Sequence, residues 1–97
     1  MKADTSSWLK KYIREHGSNM YITKRLNIHG WWNAFYAPSG LTGKPENEEG
    51  FTEFTVEDDI KIYVDNEVLN KLDPGAKELK FMVPEYGWQH LTFEQEG

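Results

Sequence analysis

Apolar residues follow two different periods along this chain, and the changes of period mark its elements. Trp8, Leu9, Tyr12 and Ile13 recur at helical spacing and share one face of an amphipathic helix predicted over residues 5–16. Thr5 or Ser6 is placed to cap its first N–H groups, and Gly17 to end it in a left-handed conformation. Lys10, Lys11 and Arg14 point elsewhere and favour the C-terminal half of the helix dipole. From Met20 the period becomes two. Met20, Ile22, Leu26 and Ile28 lie on one side of a strand, with Tyr21, Thr23, Arg25 and Asn27 on the other. Lys24 interrupts the apolar side, so this strand is not expected to be buried along its whole length.

His29-Gly30-Trp31-Trp32 ends that strand, and Asn33-Ala34-Phe35-Tyr36 follows. Prolines, glycines and acids between Ala37 and Gly50 predict a loop. Phe51, Phe54 and Val56, then Ile60, Ile62 and Val64, read as a hairpin turning at Glu57-Asp58-Asp59. Asp65 is a natural cap for a short helix through Leu72, with Val68, Leu69 and Leu72 inward and Asp73-Pro74-Gly75 stopping it. Leu79, Phe81 and Val83 alternate as another strand. After Pro84-Glu85-Tyr86-Gly87, a last strand runs from Trp88 to Phe93. The expected fold class is α+β: a compact, mainly antiparallel β assembly with an N-terminal helix and a short helix near residues 65–72.

Composition narrows the chemistry. The 97 residues suit one domain spanning 1–97, with no repeat or long linker to divide it. The absence of cysteine removes disulfides, thiolate metal sites, cysteine-ligated clusters and thiol nucleophiles together. An apolar core must hold the fold, and 14% aromatic content gives it large side chains to bury. No stretch approaches the roughly 20 apolar residues of a membrane span, and no apolar signal segment opens the chain, so a cytoplasmic protein is expected. The formal charge is −5 and unevenly placed: residues 1–25 carry six bases and two acids, the remainder five bases and fourteen acids. An acidic whole disfavours nucleic acid, whose non-specific binding depends on neutralising phosphates. The basic N-terminal part reads as a solvated helix face, with an acidic partner as the other reading.

Few residues arrange themselves for catalysis. His16, His29 and His90 show no metal-ligand spacing such as His-x-x-x-His. Ser39-Gly40-Leu41-Thr42-Gly43-Lys44-Pro45 fails the phosphate-loop pattern, since Pro45 follows the lysine where serine or threonine is required. Seven acids and no base lie between Glu46 and Asp59, without the spacing of a calcium-hand loop. They read as a solvated loop and turn that protect an edge strand. No nucleophile-elbow G-x-S-x-G occurs. Trp31-Trp32 is the most unusual pair. Strand neighbours face opposite ways, so one ring can pack while the other is an aromatic anchor for a partner, a second copy or a flat ligand.

These elements carry a family resemblance. Gly43-Lys44-Pro45-Glu46-Asn47-Glu48-Glu49-Gly50-Phe51, Glu53-Phe54-Thr55-Val56 and Ile60-Lys61-Ile62-Tyr63-Val64-Asp65 follow the N-terminal helix and early strand. The pattern resembles the HesB-like superfamily, the A-type carriers and scaffolds of iron–sulfur cluster biogenesis. It is more similar still to a small branch with a Cys-Cys or selenocysteine motif. The resemblance implies a sandwich-like sheet assembly with helices. It also places the branch's paired thiol or selenol at about Gly30-Trp31-Trp32 of this chain, and a cysteine tail where Phe93-Glu94-Gln95-Glu96-Gly97 stands. Indole Nε1–H is a donor only, so metal ligation does not survive that replacement.

The resulting expectation is a non-enzymatic HesB-like domain without cofactor. Its family thiol position has become a packing or interaction surface at Trp31, Trp32 and His29. A protein partner or a second copy is its expected contact, and neither nucleic acid nor membrane is. The alternative is a metal or iron–sulfur-associated protein using His29, His90 and carboxylates of the acidic loop, since imidazole and carboxylate suit iron or zinc.

Overall fold

Ser6 begins the first helix as the sequence leads one to expect. Its hydroxyl accepts from Leu9 N at 3.2 Å, and α1 runs Ser7–Glu15. The structure, a computed structural model, describes residues 1–28 and 34–94. Its strands are β1 (Ala3–Asp4), β2 (Asn19–Ile28), β3 (Ala34–Thr42), β4 (Phe51–Val56), β5 (Ile60–Asp65), β6 (Glu78–Val83) and β7 (Gly87–Phe93). A 3-10 turn covers Glu48–Gly50, and α2 covers Asn66–Asn70. Among the described residues no helix is long and apolar enough to cross a membrane.

The strands form one sheet in the order β1-β7-β6-β3-β2-β5-β4. Antiparallel ladders join β1 to β7, β2 to β3, β4 to β5 and β6 to β7, while β2–β5 and β3–β6 are parallel. The two ends of the sheet nearly meet. Glu94 N donates to Lys2 O at 3.1 Å, and Thr55 N donates to Met1 O at 2.8 Å, so the residues around β1 link β7 to β4. A nearly closed sheet thus replaces the expected sandwich-like layering, because β1, too short to register in the pattern of apolar positions, bridges both edges.

Closure gives the inward faces a single core. Met20 and Ile22 of β2, Ile60, Ile62 and Val64 of β5, and Phe81 of β6 are completely buried. Leu9 and Ile13 cover the end of the sheet at the β4–β5 turn, and Val68 of α2 packs at the end where β5 finishes. Asp65 caps α2 through Glu67 N at 2.9 Å. Helix, hairpin and last two strands therefore match their sequence expectation.

The region from Ala37 differs from it: residues 37–42 belong to β3 and are not a loop. Pro38 and Gly40 suggest a turn, but each is compatible with this strand. Gly43 N donates to Asn19 O at 2.9 Å, and hydrogen-bonded pairs alternate along an antiparallel ladder. Lys24↔Pro38 is consequently a non-bonded pair, and the proline nitrogen, which has no proton, faces away from β2. Gly40 faces the core, where Phe81 occupies the space a side chain would need.

Candidate functional site

The β2–β3 pair outruns its neighbour β5. β5 pairs with β2 through Asn19–Ile22, and β6 is registered against β3 at Ser39. The β2–β3 ladder nevertheless runs to Ile28↔Ala34. Residues 23–28 and 34–38 therefore form a β2–β3 ribbon that β5 no longer flanks. Alternation along β2 puts Lys24 and Leu26 on the same face as buried Met20 and Ile22. Lys24 marks the end of the core, as its interruption of the apolar pattern predicts. Beyond it Leu26 is 50% exposed and stands opposite Tyr36, which is 67% exposed. An apolar cross-strand pair is thus presented to solvent on the core's own face.

Ribbon, α2 and β6 enclose a cleft of about 420 Å³. Val68, Leu72 and Leu79 supply apolar wall, and Lys24, Lys71, Glu78 and Lys80 border it. The Lys24 ammonium lies 5.7 Å from the Tyr36 ring centroid and 3.6 Å from Glu67 Oε2. Lys71 is held below the ordinary lysine pKa, first of all by the neighbouring Lys24 side chain. A like charge alongside disfavours the protonated form of Lys71.

A second surface lies at the other end of the molecule. Trp8 stacks on Tyr12 with centroids 5.3 Å apart, and Tyr86 from the β6–β7 turn reaches both rings, at 5.1 and 5.2 Å. Trp8 and Tyr86 are both substantially exposed. Helical spacing assigns Trp8 and Tyr12 to the buried face with Leu9 and Ile13, but only the latter two are fully enclosed. Nothing in the linear spacing brings Tyr86 to them; the sheet does.

The basic face of α1 has its acidic partner within the same chain. Lys10 Nζ contacts Asp4 Oδ1 at 2.8 Å and Glu57 Oε1 at 2.6 Å. Arg14 grips Asp59 with two nitrogens, at 2.8 and 2.9 Å, and reaches Glu57 at 2.7 Å. These contacts hold the carboxyl groups of Asp4, Glu57 and Asp59 below their usual range, through Lys10 for the first two and Arg14 for the third. Part of the acidic run from Glu46 to Asp59 is therefore a clamp on α1, where the sequence reading has solvated charge.

His29, Trp31 and Trp32, the residues singled out from the sequence, lie outside the described residues. His90 Nδ1 lies 3.4 Å from Glu78 Oε2, both side chains half exposed, and His16 Nδ1 lies 2.7 Å from Tyr12 O. Among the described residues no three histidine or acidic side chains gather to hold a metal ion. The model of the CC/Se motif containing family matches residues 1–93 of the chain. No curated protein and no solved structure matches it.

Proposed function

Because the chain belongs to the CC/Se motif containing family and yet contains no cysteine, we propose that it is a non-enzymatic interaction module acting through its β2–β3 ribbon. The HesB-like kinship of the scaffold is part of this reading and rests on the pattern of its loop, hairpin and short helix. Thiol and selenol chemistry are unavailable to such a chain. What remains for the family position at Gly30-Trp31-Trp32 is recognition by aromatic surface, for which tryptophan is well suited.

The supporting observation is the exposed Leu26–Tyr36 pair, which continues the core face along the two strands that lead in sequence to Trp31 and Trp32. Apolar surface aligned along one strip is the kind that a partner covers. The partner in this reading is a second copy of the chain, since a strip of two facing residues meets its own image across a two-fold axis. Net negative charge argues against nucleic acid and an anionic membrane as alternatives, and the cytoplasm is the proposed setting.

Sedimentation velocity over a range of concentrations tests this. The expected result is reversible dimerisation of the wild type, weakened by Leu26→Glu, Tyr36→Ala and Trp32→Ala while thermal unfolding stays near that of the wild type. A wild type that sediments as a monomer throughout, or a dimer indifferent to all three changes, overturns the proposal.

A further inference from the structure

β4 is the last strand in the sheet order, and its outer edge is covered for only part of its length. Thr55 N donates to Met1 O at 2.8 Å on the side away from β5, and Lys2 bridges Thr55 there. Hydrogen-bonding direction alternates along an antiparallel strand, so Glu53 turns its N–H and C=O to the same side as Thr55. Among the described residues nothing pairs with Glu53 on that edge. Phe51 N–H donates to Glu48 O, while Phe51 C=O faces the edge with Glu53. Beside Met1 and Lys2 a cleft of about 400 Å³ opens, walled by Phe54, Leu69, Ala76 and Phe93. The rings of Phe54 and Phe93 meet in it with centroids 5.1 Å apart. The edge itself is acidic. Glu53 is exposed on the face opposite buried Phe54, and its ion-pair partner is Lys61 at 3.7 Å. Glu46, Glu48 and Glu49, which lead into β4, are exposed and make no ion pair among the described residues. Lys2 and Glu94 at the cleft offset one another in charge.

We propose that β4 accepts a further strand along this edge: an extended peptide segment of a partner protein, with the pattern basic–apolar–basic. Such a strand bonds to the N–H and C=O of Glu53 and the C=O of Phe51, main-chain groups that the sheet leaves turned outward. Alternation then assigns the side chains. The apolar one enters the cleft against Phe54, Leu69 and Phe93, and its two neighbours face outward beside Glu53. Positive side chains there answer Glu53 and the acids at 46, 48 and 49, whereas negative ones are repelled. β5 separates β4 from the ribbon strand β2, so this contact and the dimerisation proposed above succeed or fail separately.

The probe is the peptide acetyl-Ser-Lys-Leu-Lys-Ser-amide, titrated into the full chain and followed by two-dimensional amide NMR. It is expected to give saturable shifts concentrated at residues 51–54 and at Leu69, Ala76 and Phe93. Three altered peptides carry glutamate for both lysines, serine for leucine, or methyl groups on the central amide nitrogens. Each is expected to bind about tenfold more weakly, the scale of one charge-assisted hydrogen bond. Glu48→Gln/Glu49→Gln/Glu53→Gln is expected to lose a similar factor with the amide spectrum of a folded chain, and Leu26→Glu to keep the wild-type affinity. Absence of saturable shifts in the wild type overturns the proposal, as does equal binding of any altered peptide. Unchanged affinity in the triple variant, or lost affinity in Leu26→Glu, has the same consequence. Shifts at residues 51–54 that follow protein concentration without peptide also overturn it, since a second copy then holds the edge. If the triple variant fails to fold, the peptides on the wild type decide alone.

Discussion

A Cβ at Gly40 would stand 2.9 Å from Cε2 of Phe81, closer than real side chains approach one another. Met20 Sδ would stand at 3.1 Å on the same side. The glycine in β3 is therefore a space-filling decision as much as a backbone one: Phe81, wholly buried, fills what another residue would claim. Gly40→Ala is expected to cost about 1–3 kcal/mol through overpacking. Combining it with Phe81→Leu should cost less than the sum of the two single changes, because they share one volume. Urea unfolding of the four proteins in the cycle measures this, and strict additivity would contradict the packing account.

Glu57 and Asp58 both have positive φ, 51° and 68°, in a turn without glycine. Conformational preference alone makes glycine welcome at both positions. The ion pairs of Glu57 with Lys10 and Arg14 separate them. Glu57→Gly is expected to lower the unfolding temperature despite its easier backbone, while Asp58→Gly stays within about 0.5 kcal/mol of the wild type. Equal effects at the two positions would remove the clamp from the account of this turn.

Acid should reveal the same clamp. Asp4, Glu57 and Asp59 have folded pKa values below their ordinary ones, so the folded chain binds fewer protons than the unfolded one as pH falls. Their contribution is complete above the unfolded carboxylate values and is lost as pH drops through the lower, folded values. Lys10 and Arg14 are raised, so their share persists through neutral pH and disappears only in strong alkali. Thermal stability should fall between about pH 5 and pH 3, less steeply in Arg14→Met, and less steeply for the wild type in high salt.

Asp65 serves two elements at once. One carboxylate oxygen accepts from Glu67 N at 2.9 Å to cap α2, and the other accepts from Thr23 Oγ1 at 3.0 Å on β2. Asp65→Ala is expected to cost about 1 kcal/mol, within the ordinary range for losing a cap. Asp65→Asn should recover part of that cost, since the amide oxygen still accepts one of the two bonds. Denaturant midpoints compare them directly. A neutral Asp65→Ala would show that packing of Val68, not the cap, holds α2.

Much of this architecture was legible from spacing because it is local. Ser6, Asp65 and the alternation of Leu79, Phe81 and Val83 act within a few residues of themselves. Lys24 even announced where the core ends. The parts hidden in the sequence depend on distant neighbours. Pro38 and Gly40 look like turn formers until the β2 register and Phe81 explain them. The two residues of β1 are too few to show a period, and they gain meaning only between Phe93 and Thr55. At the cleft, Lys24 and Lys71 read as ordinary surface charges until β2 and α2 bring them side by side.

The parallel contact of β2 with β5 also imposes an order in time. The β2–β3, β4–β5 and β6–β7 pairs each join neighbouring segments, but Asn19 meets Lys61 only after the long stretch between them has been gathered. Contacts between distant segments bear the loop-closure entropy that slows folding. Three hairpins should therefore arise quickly and wait for one another, with the link at Ala3 completed after both sides of the sheet exist. The clock of this small protein is set where its hairpins meet, rather than within any of them.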